Sequence, residues 1–236
     1  ADYIFLHWIH AEMISIEDIG RITAKKIFVL HDMWWLGNHE HYFDEKKKLN
    51  YSNKKIIRKI YSFSDYNFIR KKKIKINNVI APSQWLLNYA KKRLPKRVNL
   101  KKISYALNLN TFKPQKILKK KNNNIKLLFI GFGKVELQRK GIDLLVKILE
   151  KNEIKNLELT IVGGINKNLF SNLKMNIKFI DNISSDKKLN DIYNSNDILL
   201  FTSRQDNLPN VVLEAMSTGL PIISFNIGGL QDLIKN

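Results

Sequence analysis

The chain has 236 residues, 41 Lys and Arg against 21 Asp and Glu for a formal net charge of +20, no Cys, 44% hydrophobic residues, 10 Gly and 5 Pro. That apolar content excludes a disordered basic tail, the Gly and Pro counts exclude collagen-like and low-complexity chains, and the length suits one large domain or two small ones. The absence of Cys removes disulfide frameworks, thiolate metal sites, iron–sulfur clusters and thiol nucleophiles together.

In chain order, the residues after Ala1 read as the closing half of a strand. Short β-branched runs at 27–30, 78–81 and 101–105 then alternate with amphipathic stretches at 54–72 and 84–93. A polar, Lys- and Asn-rich stretch with one Pro, 113–124, reads as a connection between two units. Beyond it the alternation is cleaner: strands at 125–130, 157–162, 177–180, 197–202 and 221–225, with helices at 141–151, 186–194 and 210–218. Strands separated by helices of this length require right-handed crossovers, so the expected fold class is α/β with parallel, doubly wound sheets. The expected domains are 1–114, a linker at 115–124, and 125–236. Both ends look cut, the last one just after a helix begins, so the chain is expected to be a fragment. No run approaches the length of an apolar membrane span and no signal-peptide pattern opens the chain, so an intracellular, soluble protein is expected.

Charge is unevenly placed. Residues 1–124 carry 27 basic and 9 acidic groups, and residues 125–236 carry 14 and 12. Lys outnumbers Arg 34 to 7, consistent either with a coding bias or with a surface that attracts anions.

Ligands of open parallel sheets lie beyond the carboxyl ends of the strands, which directs attention to four segments. The first is His31-Asp32-Met33-Trp34-Trp35. The second, Gly131-Phe132-Gly133 followed by Arg139-Lys140-Gly141, is neither the dinucleotide fingerprint, since Glu136 stands at the third glycine position, nor a P-loop. Its glycines allow a tight turn, and Arg139 and Lys140 supply positive charge suited to a pyrophosphate. The third runs from Ser203 through Asp206-Asn207-Leu208-Pro209-Asn210 into a helix carrying Glu214. The fourth is Gly228-Gly229, expected to expose backbone N–H groups at another helix start. His39 and His41 read as a solvent-exposed pair, not a zinc site.

Taken together, these segments resemble the donor half of retaining glycosyltransferases of the GT-B fold, family 4 (group 1). The stations are Arg139-Lys140-Gly141, Thr202-Ser203, Asp206 through Met216, Gly219-Leu220-Pro221 and Gly228-Gly229. His31-Asp32-Met33-Trp34 with Tyr42, Ala81-Pro82-Ser83-Gln84-Trp85-Leu86 and Phe112-Lys113-Pro114 are similar to the first half of the exopolysaccharide, capsule and lipopolysaccharide branch. The resemblance implies two Rossmann-like domains facing across a cleft, both incomplete here. It implies transfer of a sugar from a nucleotide-sugar such as a UDP- or GDP-sugar, with retention, to a glycan or lipid-linked acceptor.

In that reading Arg139 and Lys140 meet the pyrophosphate, with Gly131, Gly133, Asn207, Leu208 and Asn210 lending backbone around the donor. Glu214 accepts from ribose hydroxyls, and Asp206, where the family often has Glu, from the transferred sugar. His31 faces the donor sugar, Asp32 acts as a base or fixes the His31 ring, and Trp34 and Trp35 lie on the acceptor side. No Asp-x-Asp occurs in the chain, so no metal and no further cofactor are expected, and positive side chains with helix N-terminal amides take the metal's place. The resemblance also implies a cytoplasmic protein, peripheral at the inner membrane face, with the Lys-rich 54–75 facing anionic lipid. The competing readings are a basic α/β nucleic-acid-binding protein, against which no helix-turn-helix, zinc finger or RNP motif appears, and a catalytically inactive truncated glycosyltransferase.

Overall fold

The computed structural model describes residues 1–8, 13–36, 41–42, 71, 74–116, 124–131 and 138–234. The chain forms two compact units, Ala1–Tyr105 and Ala106–Leu233. Residues 106–114, expected with the first domain, group with the second unit, and side chains of its helix Asp186–Ser195 bind the backbone at Lys113 and Gln115. Asn190 Oδ1 accepts from the Lys113 N–H at 3.1 Å and Asn194 Oδ1 from the Gln115 N–H at 2.7 Å.

The first unit contains β1 (Tyr3–Leu6), α1 (Ile16–Arg21), β2 (Lys25–Val29), β3 (Asn78–Ala81), α2 (Gln84–Arg93) and β4 (Asn99–Lys102), with a 3₁₀ turn at Trp34–Leu36. The four strands pair in parallel in the order β1-β2-β3-β4. Ser15 and Ser83 cap α1 and α2 by accepting from Asp18 N and Leu86 N. Lys91, Lys92 and Arg93 lie in the last turn of α2, where positive charge suits the helix dipole. The strand expected at 101–105 lies at Asn99–Lys102 instead. It pairs with β3 as far as Ala81, and the next residue there, Pro82, has no N–H with which to extend the ladder.

The second unit contains β5 (Ile125–Ile130), α3 (Ile142–Glu150), β6 (Leu157–Val162), β7 (Asn176–Ile180), α4 (Asp186–Ser195), β8 (Ile198–Phe201), α5 (Asn210–Ser217) and β9 (Ile222–Ser224), with 3₁₀ turns at Lys167–Phe170 and Gly228–Asp232. All its strand pairs are parallel, in the order β7-β6-β5-β8-β9. The chain winds one way from β5 to β7 and the other way from β5 to β9. This is the doubly wound pattern, with its reversal between β5 and β8.

Each unit has its own core. Leu6, Ile19, Phe28, Val79, Leu86 and Ala90 anchor the first, and Leu127, Phe129, Leu145, Leu159, Ile161 and Phe170 the second. Leu145, in the middle of α3, is 0% exposed. Leu145→Ala is therefore expected to destabilise the second unit by about 3 kcal/mol, from lost transfer energy plus the cavity left behind. Urea unfolding followed by tryptophan-independent circular dichroism would read the loss, and a change within error would mean that the α3 contact with the sheet is not close-packed.

Candidate functional site

The reversal between β5 and β8 places the segments after these two strands side by side at the carboxyl edge of the second sheet. Gly131 follows β5 and ties its N–H to Val162 O at 3.0 Å. Gly133, with Phe132, Lys134 and Glu136, lies outside the described residues. The loop that resumes at Gln138 is stitched to the loop after β8. Arg204 N–H donates to Arg139 O at 2.8 Å, Thr202 Oγ1 to Lys140 O at 3.1 Å, and Arg139 Nη1 to Gln205 O at 3.0 Å. Gly141 makes this approach possible. Its φ is +70°, and a Cβ there would stand 1.9 Å from Thr202 O. The Arg204 guanidinium adds a two-pronged contact to Asp143, with bonds of 2.7 and 2.6 Å, which holds the Asp143 carboxyl below its usual range. Both side chains are substantially exposed, so this pair orients the loops more than it stabilises them.

The stitching brings three expected residues together. Lys140 Nζ donates to Asp206 Oδ2 at 2.9 Å and Arg139 Nη1 to the same oxygen at 3.3 Å. Asp206 is only 7% exposed, and its Oδ1 accepts from the Asn207 N–H at 3.1 Å. A carboxylate has about four acceptor positions, so three donors leave room for one more on Oδ1. The Gly228-Gly229 pair has a different role from the one expected. Gly229 N–H donates to Asp206 O at 3.2 Å, and Gly228, at φ +50°, would place a Cβ 1.9 Å from that same carbonyl. These glycines hold the Asp206 backbone from below and do not present that amide to a ligand.

Asn207 and Leu208 are buried, and Asn210 opens α5 on the exposed side. Pro209 precedes it as a cap residue with no side-chain hydrogen bond, so no side chain competes for the first amides of the helix. Glu214 lies one turn further on and is half-buried. Burial pushes its carboxyl above the usual range, while a hydrogen bond from Tyr193 at 2.6 Å pulls the other way. Burial and the neighbouring carboxylate push the Tyr193 phenol up, so it stays protonated and is the donor.

In the first unit, parallel pairing collects the residues that follow the strands. His31 Nε2 lies 2.9 Å from His7 Nδ1, and its Nδ1 lies 2.8 Å from the Tyr105 hydroxyl. Its ring is stacked on Tyr105 with centroids 5.4 Å apart. Burial, then His7, lower its pKa against the opposing pull of Asp32, so the ring is held neutral. Asp32 acts on that ring through its charge, which pulls the His31 pKa upward. Its oxygens accept from Trp34 N–H, Trp8 Nε1 and His41, which orders the loop after β2.

Trp35 is also corrected. It is 8% exposed and packs edge-on against Phe28 in the core, with centroids 4.8 Å apart, so it does not form an acceptor surface. Trp34 is partly exposed, with Lys71 Nζ 3.7 Å above its ring and donating to its carbonyl at 2.6 Å. Lys71 itself is 4% exposed, and burial lowers its pKa to about 7. It therefore does not belong to the lipid-facing Lys-rich stretch. The rest of that stretch up to Lys73, together with His39, lies outside the described residues.

Sequence reasoning missed His7, Tyr105 and Tyr193. The first two stand just beyond strand ends, where the rule that selected His31 would have selected them as well. Tyr193 carried a fainter signal: with Asn190 it puts two polar groups at i and i+3 on the buried face of α4. Among the described residues no three His, Cys, Asp or Glu gather as a metal would require, and no helix is long and apolar enough to cross a membrane.

The UDP-Gal:alpha-D-GlcNAc-diphosphoundecaprenol alpha-1,3-galactosyltransferase of Escherichia coli is 33% identical over 153 residues, 61% of this chain and 38% of that protein. The chain thus spans well under half the length of this relative. Among solved structures, a sucrose-phosphate synthase from Thermosynechococcus elongatus aligns with TM-score 0.73 at 19% identity, covering 98% of this chain and 57% of the other. Anabaena Alr3699/HepE in complex with UDP-glucose aligns with TM-score 0.68 at 16% identity, covering 100% and 62%. These likenesses carry the fold, the paired parallel α/β sheets of the GT-B class. The family profile of glycosyl transferases group 1 matches residues 113–236, which hold Arg139, Lys140, Asp206 and Glu214, and the chain belongs to that family.

Proposed function

We propose that this chain is the substrate-binding part of an enzyme that transfers a sugar from a nucleotide-sugar to a glycan or lipid-linked acceptor, with retention and without a metal. The observation that carries the proposal is the convergence of Arg139 and Lys140 on Asp206 at the point where the sheet order reverses. Two cations held by a buried carboxylate stand ready to meet the charge that grows on a departing nucleoside diphosphate, with the α5 amino end beside them. Asp206 keeps one acceptor position for a hydroxyl of the transferred sugar, and Glu214 offers Oε1 to the ribose.

His31 suits an uncharged contact with the sugar. Its Nδ1 lies against the Tyr105 hydroxyl and its Nε2 against His7, so a neutral ring can exchange the His7 contact for a hydrogen bond with a sugar hydroxyl. Retention rests on the family resemblance. A lipid-linked acceptor is supported by the diphosphoundecaprenol acceptor named for the Escherichia coli relative, and an anionic membrane surface by the 27 basic against 9 acidic groups of residues 1–124.

Thermal-shift measurements with UDP, GDP, ADP and their sugar conjugates, beside a short duplex DNA, test the reading. A nucleotide at 100 times its Kd is expected to add about 2.7 kcal/mol of stability to the wild type. In Glu214→Ala that shift is expected to shrink by more than half. No nucleotide shift, together with a salt-sensitive shift by DNA, would replace this reading with a nucleic-acid-binding one.

A further inference from the structure

Glu214 is held by a residue outside the segments that define the donor site. Tyr193 is fully buried on α4, and its hydroxyl donates to Glu214 Oε2 at 2.6 Å. Its ring meets Phe112 edge-on, with centroids 6.2 Å apart and planes at 70°. Its neighbours on the helix are tied down as well. Asn190 and Asn194 accept from the backbone of Lys113 and Gln115, and Asn194 Nδ2 donates back to Lys113 O at 3.1 Å.

A phenol so enclosed has no rotamer in which to leave its partner, because a close-packed interior offers none. A Glu214 that swings as a surface glutamate does would have to give up this hydrogen bond. One of its oxygens is taken, and Oε1 accepts no hydrogen bond from the described residues. A carboxylate free to rotate would have to lose that freedom on binding, whereas one already pinned through Oε2 presents Oε1 in a fixed direction.

We propose that Tyr193 is a positioning residue for nucleotide recognition: its hydroxyl occupies Oε2 and aims Oε1 of Glu214 at a ribose hydroxyl, without itself touching the nucleotide. The residues 112–115 that brace α4 belong to the same device, since they fix the helix from which the phenol projects. This inference rests on the reading of Glu214 as the ribose acceptor.

Tyr193→Phe keeps the ring and its contact with Phe112 while deleting the donor. Calorimetric titration of the wild type, Tyr193→Phe and Glu214→Ala would use whichever of UDP, GDP and ADP binds, with its 2′-deoxy and 3′-deoxy forms. The wild type is expected to prefer the ribonucleotide over one deoxy form by about tenfold, and Tyr193→Phe by less than about threefold, with affinity for that deoxy form unchanged. A preference kept in Tyr193→Phe and lost in Glu214→Ala overturns the positioning role and leaves the proposed function standing. Equal weakening of ribo- and deoxynucleotide in Tyr193→Phe assigns the phenol a structural role only and also overturns it. A preference that survives Glu214→Ala, or no nucleotide binding at all, removes the ribose reading of Glu214 and this inference with it.

Discussion

Replacing Arg139 and Lys140 together by alanine is expected to weaken nucleoside diphosphate binding by about a thousandfold. Each cation makes charge-assisted hydrogen bonds worth about 2 kcal/mol to an anion, and the two act on the same group. The same change strands Asp206, whose Oδ2 accepts from both side chains in a largely buried setting. An unpaired buried carboxylate costs about 3 kcal/mol, so the melting temperature should fall by about 8 °C. The two losses can be separated. Adding Asp206→Asn removes the stranded charge and should restore most of the melting temperature while binding stays lost. If the triple variant regains nucleotide binding as well, the cations serve only Asp206 and the pyrophosphate reading fails.

Gly228→Ala is the second large effect expected. The backbone there has φ +50°, which costs an L-residue about 1–2 kcal/mol, and the new Cβ would stand 1.9 Å from Asp206 O. Backbone against backbone cannot be relieved by a rotamer change, so one of the two segments must move. The expected destabilisation is at least about 3 kcal/mol, accompanied by weaker nucleotide binding, because the segment that moves carries Asp206. Gly219→Ala is the control. Gly219 has φ +75° with nothing within 4 Å of the added Cβ, so it should lose only the conformational cost of about 1 kcal/mol. Chemical denaturation of both variants reads the difference, and equal losses would mean that the 3₁₀ turn at Gly228–Asp232 does not press on the Asp206 loop.

Much of the fold was legible along the chain. β3, β5, β6 and α2 lie at the residues that hydrophobic periodicity assigned, because each is bounded by local signals such as Ser83 or Gly131 and buries an apolar face. The displacement of β4 was not legible, since its end is set by the Pro82 partner across the sheet. The unit boundary escaped for the same reason. Residues 113–115 look like a polar linker in isolation, and only Asn190 and Asn194, nearly eighty positions later, give their backbone groups partners.

At the candidate site, the position of Arg139, Lys140 and Asp206 after strand ends singled them out, and their roles, with that of Glu214, came from the family resemblance, because each charged residue alone fits a solvated surface as well. By itself, then, the sequence determined two parallel α/β units and singled out the charged groups that gather after β5 and β8. Only the tertiary structure decided that Asp206 pairs with both cations, that Gly228-Gly229 support its backbone, that Trp35 and Lys71 are interior, and that Tyr193 holds Glu214. Those facts depend on which distant segments meet, and contact across a sheet or between helices is fixed by packing and by the hydrogen-bond needs of buried groups, neither of which has a local signature.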